Sequence, residues 1–113
     1  MPLKRVILEM GSGNDLHGSD YTKAAIRAVE DALHHSSLTM IRTLGINKND
    51  VRVDVTVGVQ KPDQVDIEAV KKILPVGTVS VSAVLGGLDV PDDAREDPTV
   101  IASAAIDVRL DLP

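Results

Sequence analysis

Valine occupies every second position from residue 51 to residue 59, and this alternation constrains the fold more than any other feature of the chain. Successive side chains of a strand point to opposite faces, so the segment predicts a strand with one apolar face. The same alternation recurs in residues 78–85 and 99–110, and residues 3–10 form a fourth candidate strand. Four strands with one apolar face each predict a sheet that helices cover on one side.

A long helix is predicted between the first two strands. It runs from Tyr21 to Leu44, with Ser19 or Asp20 as its N-cap and Gly45 at its end. Apolar side chains recur along it at helical spacing, and several of them are alanines that let the helix lie close to the sheet.

A second helix begins near Asp63 or Asp66 and ends before Pro75. The predicted element order is therefore β-α-β-α-β-β, in a single α/β domain over residues 1–113. The architecture expected is a two-layer sandwich, with a four-stranded mixed sheet that carries both helices on one face. In the first strand, alternation assigns Val6, Leu8 and Met10 to the apolar face, opposite Arg5, Ile7 and Glu9.

The other face of the sheet combines small residues with two arginines and two aspartates, at Arg52, Asp54, Asp107 and Arg109. Small residues favour packing against the sheet of a neighbouring subunit, and exposure to solvent is the alternative. The chain has no Phe, Trp or Cys, so its core is built from aliphatic side chains. Small domains without aromatic residues or disulfides often gain stability by assembly, so we expect a homo-oligomer, with a trimer or a multiple of it among the candidates.

The charge of the chain limits its partners. A net charge of −5 and the lack of an aromatic platform for base stacking argue against nucleic acid. Residues 3–10 are apolar but too short, and too charged, to span a membrane. We therefore expect a cytoplasmic protein that binds neither nucleic acid nor membranes.

Glycines and ligand-type side chains are concentrated between the first strand and the first helix. Three glycines share this segment with four acidic or imidazole groups, at Glu9, Gly11, Gly13, Asp15, His17, Gly18 and Asp20. The segment lacks the lysine of a phosphate-binding P-loop and the third glycine of a dinucleotide fingerprint. Its carboxylates favour a divalent metal or a cationic substrate group. The structural alternative is a tight turn in which Asp20 caps the helix and Asp15 bonds its own backbone.

The side chains of this segment support a catalytic hypothesis. His17 would act as general acid and base, Asp15 would orient it, and Glu9 would be the third group. Backbone N–H groups between Gly11 and Gly18 would stabilise developing negative charge in a hydrolase or lyase. The predicted ligand-binding residues come from the same segment and from the first helical turns: Gly11, Ser12, Gly13, Gly18, Thr22 and Arg27.

Cofactor and mechanism stay open at this stage. The cofactor is unknown, and one option is a divalent metal on Asp15, His17 and Glu9. Residues 86–98, the longest predicted loop, carry five acids and are expected to complete a small-molecule site with residues 9–22. Two alternatives to an enzyme remain: a non-catalytic ligand-binding or regulatory oligomer, and a purely structural oligomer with a rigid glycine turn.

The motif Glu-x-Gly-x-Gly-x-Asp-x-His-Gly, which starts at Glu9, is followed by Thr-x-Ala-Ala-x-Arg-Ala from Thr22 to Ala28. This pattern resembles the signature of the "Lin" family of conserved hypothetical proteins, and the resemblance covers nearly the whole chain. It implies no activity, because that family has no settled function. A weaker similarity, in topology and size alone, is to the repeated domains of ring-opening amidohydrolases of the cyanuric acid hydrolase and barbiturase type. These domains resemble small trimeric α/β proteins that bind ligands between subunits.

Overall fold

The computed structural model describes residues 3–16, 18–34, 43–74, 77–94 and 96–111, and within them one sheet packs against two helices. The α/β class and the predicted element order are confirmed, with one short strand added. Single 3₁₀ turns cover Lys48–Asp50 and Pro62–Gln64. The main elements are β1 (Leu3–Asp15), α1 (Tyr21–His34), β2 (Val51–Val59), α2 (Ile67–Lys71), β3 (Thr78–Leu85), β4 (Leu88–Val90) and β5 (Thr99–Asp111).

The strands follow the order β1-β5-β2-β3 across the sheet. β5 is antiparallel to both of its neighbours, and β3 is parallel to β2. The pairing of β2 with β5 ends at Gly58 and Ser103, and β4 then pairs with β5 over Thr99–Ile101. β4 therefore extends the sheet on the same side of β5, beyond the end of β2.

The chain reaches β4 by crossing the end of β2 at Gly86 and Gly87. A Cβ atom added to Gly87 would lie 2.1 Å from the carbonyl oxygen of Ile101, and Gly87 has φ +59°. Only glycine tolerates both the close approach and this conformation. Residues 86–98 were predicted to be a loop, but this crossing places Leu88–Val90 beside β5, where they form a strand.

The core lies between the sheet and the helices, as the alternation predicted. Every odd-numbered valine of β2 is buried, and so is every even-numbered residue of β5 from Val100 to Leu110. α1 presents a face of small residues to the sheet, and its fully buried members are Ala24, Ala25, Ala28, Val29 and Ala32. Among the described residues, no helix is both long and apolar enough to cross a membrane.

The predicted orientation of β1 is wrong. Ile7 is buried on the helix side, whereas Leu8 and Met10 are exposed on the opposite face. A register irregularity between Arg5 and Ile7 interrupts the alternation. The residues of β1 that face α1 include Gly11 and Gly13, which carry no side chain. Hydrophobicity therefore assigned the buried face of β1 to the wrong side.

Gly11 and Gly13 lie directly beneath α1. A Cβ atom on Gly11 would come within 2.4 Å of the Ala32 nitrogen and 2.5 Å of the Ala28 carbonyl oxygen. A Cβ atom on Gly13 would come within 2.3 Å of the Ala28 nitrogen. Backbone atoms cannot yield as a flexible side chain can, so both positions require glycine. The segment predicted as a glycine-rich turn is thus the second half of β1, which runs to Asp15.

The ends of the helices follow local capping chemistry. The side chain of Asp20 accepts the Lys23 N–H at 2.9 Å, which confirms Asp20 as the N-cap of α1. Asp66 caps α2 by accepting the Ala69 N–H. The predicted extension of α1 through residues 35–42 lies outside the described residues.

Replacing Gly11 with alanine should destabilise the fold, because the added methyl group meets the α1 backbone. We expect Gly11→Ala to lower the free energy of unfolding by about 3 kcal/mol. The neighbouring Ser12→Ala, whose side chain is exposed, should stay within about 0.5 kcal/mol of the wild type. Urea denaturation followed by circular dichroism measures both values, and equal stabilities would contradict the close approach of α1.

Candidate functional site

The first predicted site residue, Asp15, ends β1 and is 4% exposed. Its Oδ2 accepts the backbone N–H of Asp20 at 2.9 Å. Its Oδ1 lies 3.7 Å from Nη1 of Arg27. Both oxygens therefore hold the start of α1 against the end of β1. This arrangement agrees better with a structural role for Asp15 at the turn than with a carboxylate that is free to orient His17. His17 itself lies outside the described residues.

Glu9 does not join Asp15, and the predicted grouping of these two residues is wrong. Both belong to β1, and six residues of extended strand separate them by about 20 Å. The prediction placed Glu9 at the end of the strand, but β1 continues past Gly11 and Gly13. Glu9 pairs with Ile106 in the middle of the sheet.

The backbone of residues 11–13 is committed to the fold. The Ser12 N–H donates to Oδ2 of Asp31 on α1 at 2.9 Å. In an antiparallel pair, neighbouring residues direct their N–H groups to opposite sides, so the Gly11 and Gly13 N–H groups point toward β5. The predicted row of free N–H groups from Gly11 to Gly18 therefore does not form over β1. Of the three glycines, Gly18 alone lies beyond the strand.

Thr22 and Arg27 also make structural contacts. The Thr22 hydroxyl donates to the carbonyl oxygen of Gln64 at 3.3 Å and accepts the Asp66 N–H at 2.8 Å, so it ties α1 to the start of α2. Nη1 of Arg27 donates to the carbonyl oxygen of Asn14 at 2.6 Å. Thr22, a predicted ligand-binding residue, therefore lies against the α2 side of the fold.

The structure does bring residues 9–22 and 86–98 together, as the sequence predicted. The Gly18 N–H donates to Oδ2 of Asp97 at 3.3 Å. Gly18 and Ser19 both have positive φ, which turns the chain from β1 into α1. The strongest link is between Tyr21 and Asp89, where the tyrosine hydroxyl donates to Oδ2 at 2.5 Å.

Sequence reasoning missed Tyr21 and Asp89 as site residues. Tyr21 is 3% exposed, and Oδ1 of Asp89 is buried without a hydrogen-bond partner among the described residues. Burial, followed by the hydrogen bond and the negative charge of Asp89, raises the pKa of Tyr21 to about 12. Tyr21 is the one aromatic residue of the chain, and that rarity was the signal available in the sequence.

Asp15 and Asp89 occupy one row of the sheet. Val100 of β5 pairs with Asp15 on one side and with Asp89 on the other. Two strand spacings place the two Cα atoms about 10 Å apart, on the face that α1 covers. We call this region the corner site, defined by Asp15, Gly18, Tyr21, Asp89 and Asp97. Within the described part of the chain, no group of three His, Asp or Glu side chains could hold a metal ion.

The raised pKa of Tyr21 can be measured without interference, because the chain contains one tyrosine and no tryptophan. We expect the tyrosinate absorbance to appear near pH 12 in the folded protein, and near the usual value of 10.0 after unfolding. Between these values the folded state retains a proton that the unfolded state has lost, so the free energy of unfolding should fall as the pH rises from 10.0 to about 12. Asp89→Asn should lower the pKa, yet leave it raised, because burial is the larger cause. An unchanged pKa in Asp89→Asn would contradict the Tyr21–Asp89 contact.

Comparison with known proteins supports the resemblance that the motif suggested. The chain matches the family model described as conserved hypothetical protein (Lin0512_fam) over residues 5–108. It is also similar to the crystal structure of an FtsZ-like protein of unknown function from Nostoc punctiforme, with a TM-score of 0.83 and 34% identity over 99% of each chain. No curated protein matches the chain. The weaker similarity to ring-opening amidohydrolases stays a prediction. The chain belongs to the Lin0512 family of conserved hypothetical proteins, whose function is unknown.

Proposed function

We propose that the protein binds a small molecule at the corner site, through a positively charged or donor-rich group of the ligand. One observation carries this proposal. The contact between Tyr21 and Asp89 joins the two segments of the site and satisfies only one oxygen of the Asp89 carboxylate. A buried acceptor without a partner costs about 1–3 kcal/mol, and a ligand that donates a hydrogen bond would relieve this cost.

The charges around the corner site favour a cationic ligand group. Asp15, Asp20, Asp89 and Asp97 all lie at this end of the sheet. Among the described residues, Arg27 is a cationic neighbour there through its contact with Asp15. An ammonium or guanidinium group offers several N–H donors and forms the stronger, charge-assisted bonds with a carboxylate. An anionic ligand would meet repulsion from the same carboxylates.

Binding without catalysis fits the contacts of Asp15 better than turnover does. Both oxygens of Asp15 already contact groups of α1, so the carboxylate has a structural role at the start of this helix. Catalysis by a hydrolase or lyase is the second candidate. It is favoured by the position of His17, which follows Asp15 by two residues and precedes Gly18, whose N–H is bound to Asp97.

Amine binding tests the main proposal. Thermal shifts in a panel of propylamine, putrescine and agmatine should show saturable stabilisation of the wild type by at least one amine. Asp89→Asn should lose this stabilisation, since the amide removes the negative charge but keeps an acceptor for Tyr21. Asp93→Asn, which removes an exposed acid of the same segment, should retain it. The proposal fails if Asp89→Asn responds to the amines as the wild type does.

The catalytic version predicts a different outcome for His17. If His17 is the general acid and base, His17→Ala should still bind the amine but should form no product from it. Mass spectrometry of amines incubated with wild-type and variant protein detects such products. If the wild type also forms no product, the catalytic hypothesis is rejected and the binding hypothesis is kept.

A further inference from the structure

The sheet face opposite the helices is apolar at many positions. We call it the open face. It contains the odd-numbered residues of β5 from Thr99 to Asp111 and the residues of the other strands that lie in the same rows. Among the described residues, nine large hydrophobic side chains are exposed. Six of the nine lie on the open face: Leu3, Leu8, Met10, Val84, Leu88 and Val90.

A groove of about 350 Å³ crosses the middle of the open face. Met10 forms one side of it and Val84 the other, and small residues such as Gly58, Ser103 and Ala105 form its floor. Such a floor lets an incoming side chain approach the strands closely. Exposed apolar surface of this extent is characteristic of an interaction site.

The charged end of the open face carries both signs of charge. Arg5, Arg109 and Arg52 form one row across three strands, and Asp107 and Asp54 lie in the next row. Ion pairs of 3.1 Å and 3.2 Å join Arg109 to Asp107 and Arg52 to Asp54. The two signs are nearly balanced, so two copies of this face do not repel each other.

The open face is also large enough for a stable interface. The thirteen residues of β1 and of β5 span about 40 Å, and four strands span about 19 Å. The product, about 800 Å², equals the area that each partner contributes to a standard protein interface.

We propose that the open face binds the open face of a second copy of this chain, so that the two sheets stack and the helices lie outside. The apolar rows around Met10 and Val84 form the centre of this interface. Stacked sheets pack about 10 Å apart, a distance that the small residues of the floor suit. The interface and the corner site use opposite faces of the sheet, so either proposal can fail without the other.

Sedimentation equilibrium of wild-type protein and three variants tests the interface. We expect the wild type to have at least twice the 12.0 kDa mass of the chain. Met10→Lys and Val84→Lys should each raise the dimerisation Kd about tenfold or more, because each variant buries a charge at the centre of the interface. Leu44→Lys, which alters an equally exposed leucine outside the sheet, should leave the Kd within about twofold of the wild-type value.

Circular dichroism of each variant separates loss of association from loss of folding. Met10 and Val84 are 68% and 45% exposed in the single chain, so the lysine variants should retain the wild-type spectrum. A wild type that stays monomeric at about 100 μM would overturn the proposal, and so would folded lysine variants that associate as strongly as Leu44→Lys.

Discussion

The contact between the backbones of β1 and α1 at Gly11 and Gly13 is the interaction on which the rest of this structure depends. It lets α1 lie so close to the sheet that alanines suffice to fill the space between them. At that distance, Asp31 and Arg27 reach the outer edge of β1 and bond its Ser12 N–H and Asn14 carbonyl. An edge strand with unpaired backbone groups invites aggregation, and α1 here covers part of that edge.

The same contact fixes the geometry of the corner site. Because α1 starts directly above the end of β1, the Asp20 N–H meets Asp15 and the Tyr21 hydroxyl meets Asp89. The position of Asp89 in the corner site depends on another close approach. The chain crosses β2 at Gly86 and Gly87, and this crossing places β4 beside β5. Close approaches at glycines thus position the backbone of the corner site, and its polar side chains are those of Asp15, Tyr21, Asp89 and Asp97.

Alternation of valines predicted β2 and its buried face, and residue type alone predicted Asp20 as one of two candidate caps, with Ser19. The face and length of β1 could not be predicted in the same way, because glycine carries no hydrophobic signal even where it marks the most crowded contact. The error in β1 also produced the false grouping of Glu9 with Asp15. β4 depends on the crossing of β2 at Gly86 and Gly87, and the Tyr21–Asp89 bond joins residues 68 positions apart. Local patterns encode neither feature.

The two proposed surfaces share β4, and this sharing has a thermodynamic consequence. Asp89 faces α1, while its neighbours Leu88 and Val90 lie on the open face and are 60% and 42% exposed in the single chain. Among the described strands, β4 pairs with β5 alone, and a three-residue strand of this kind is a weak element. A second copy that covers Leu88 and Val90 would hold β4 in place and so preorganise the Asp89 carboxylate. Ligand binding and association would then strengthen each other by the same factor, because linkage between two binding equilibria is reciprocal.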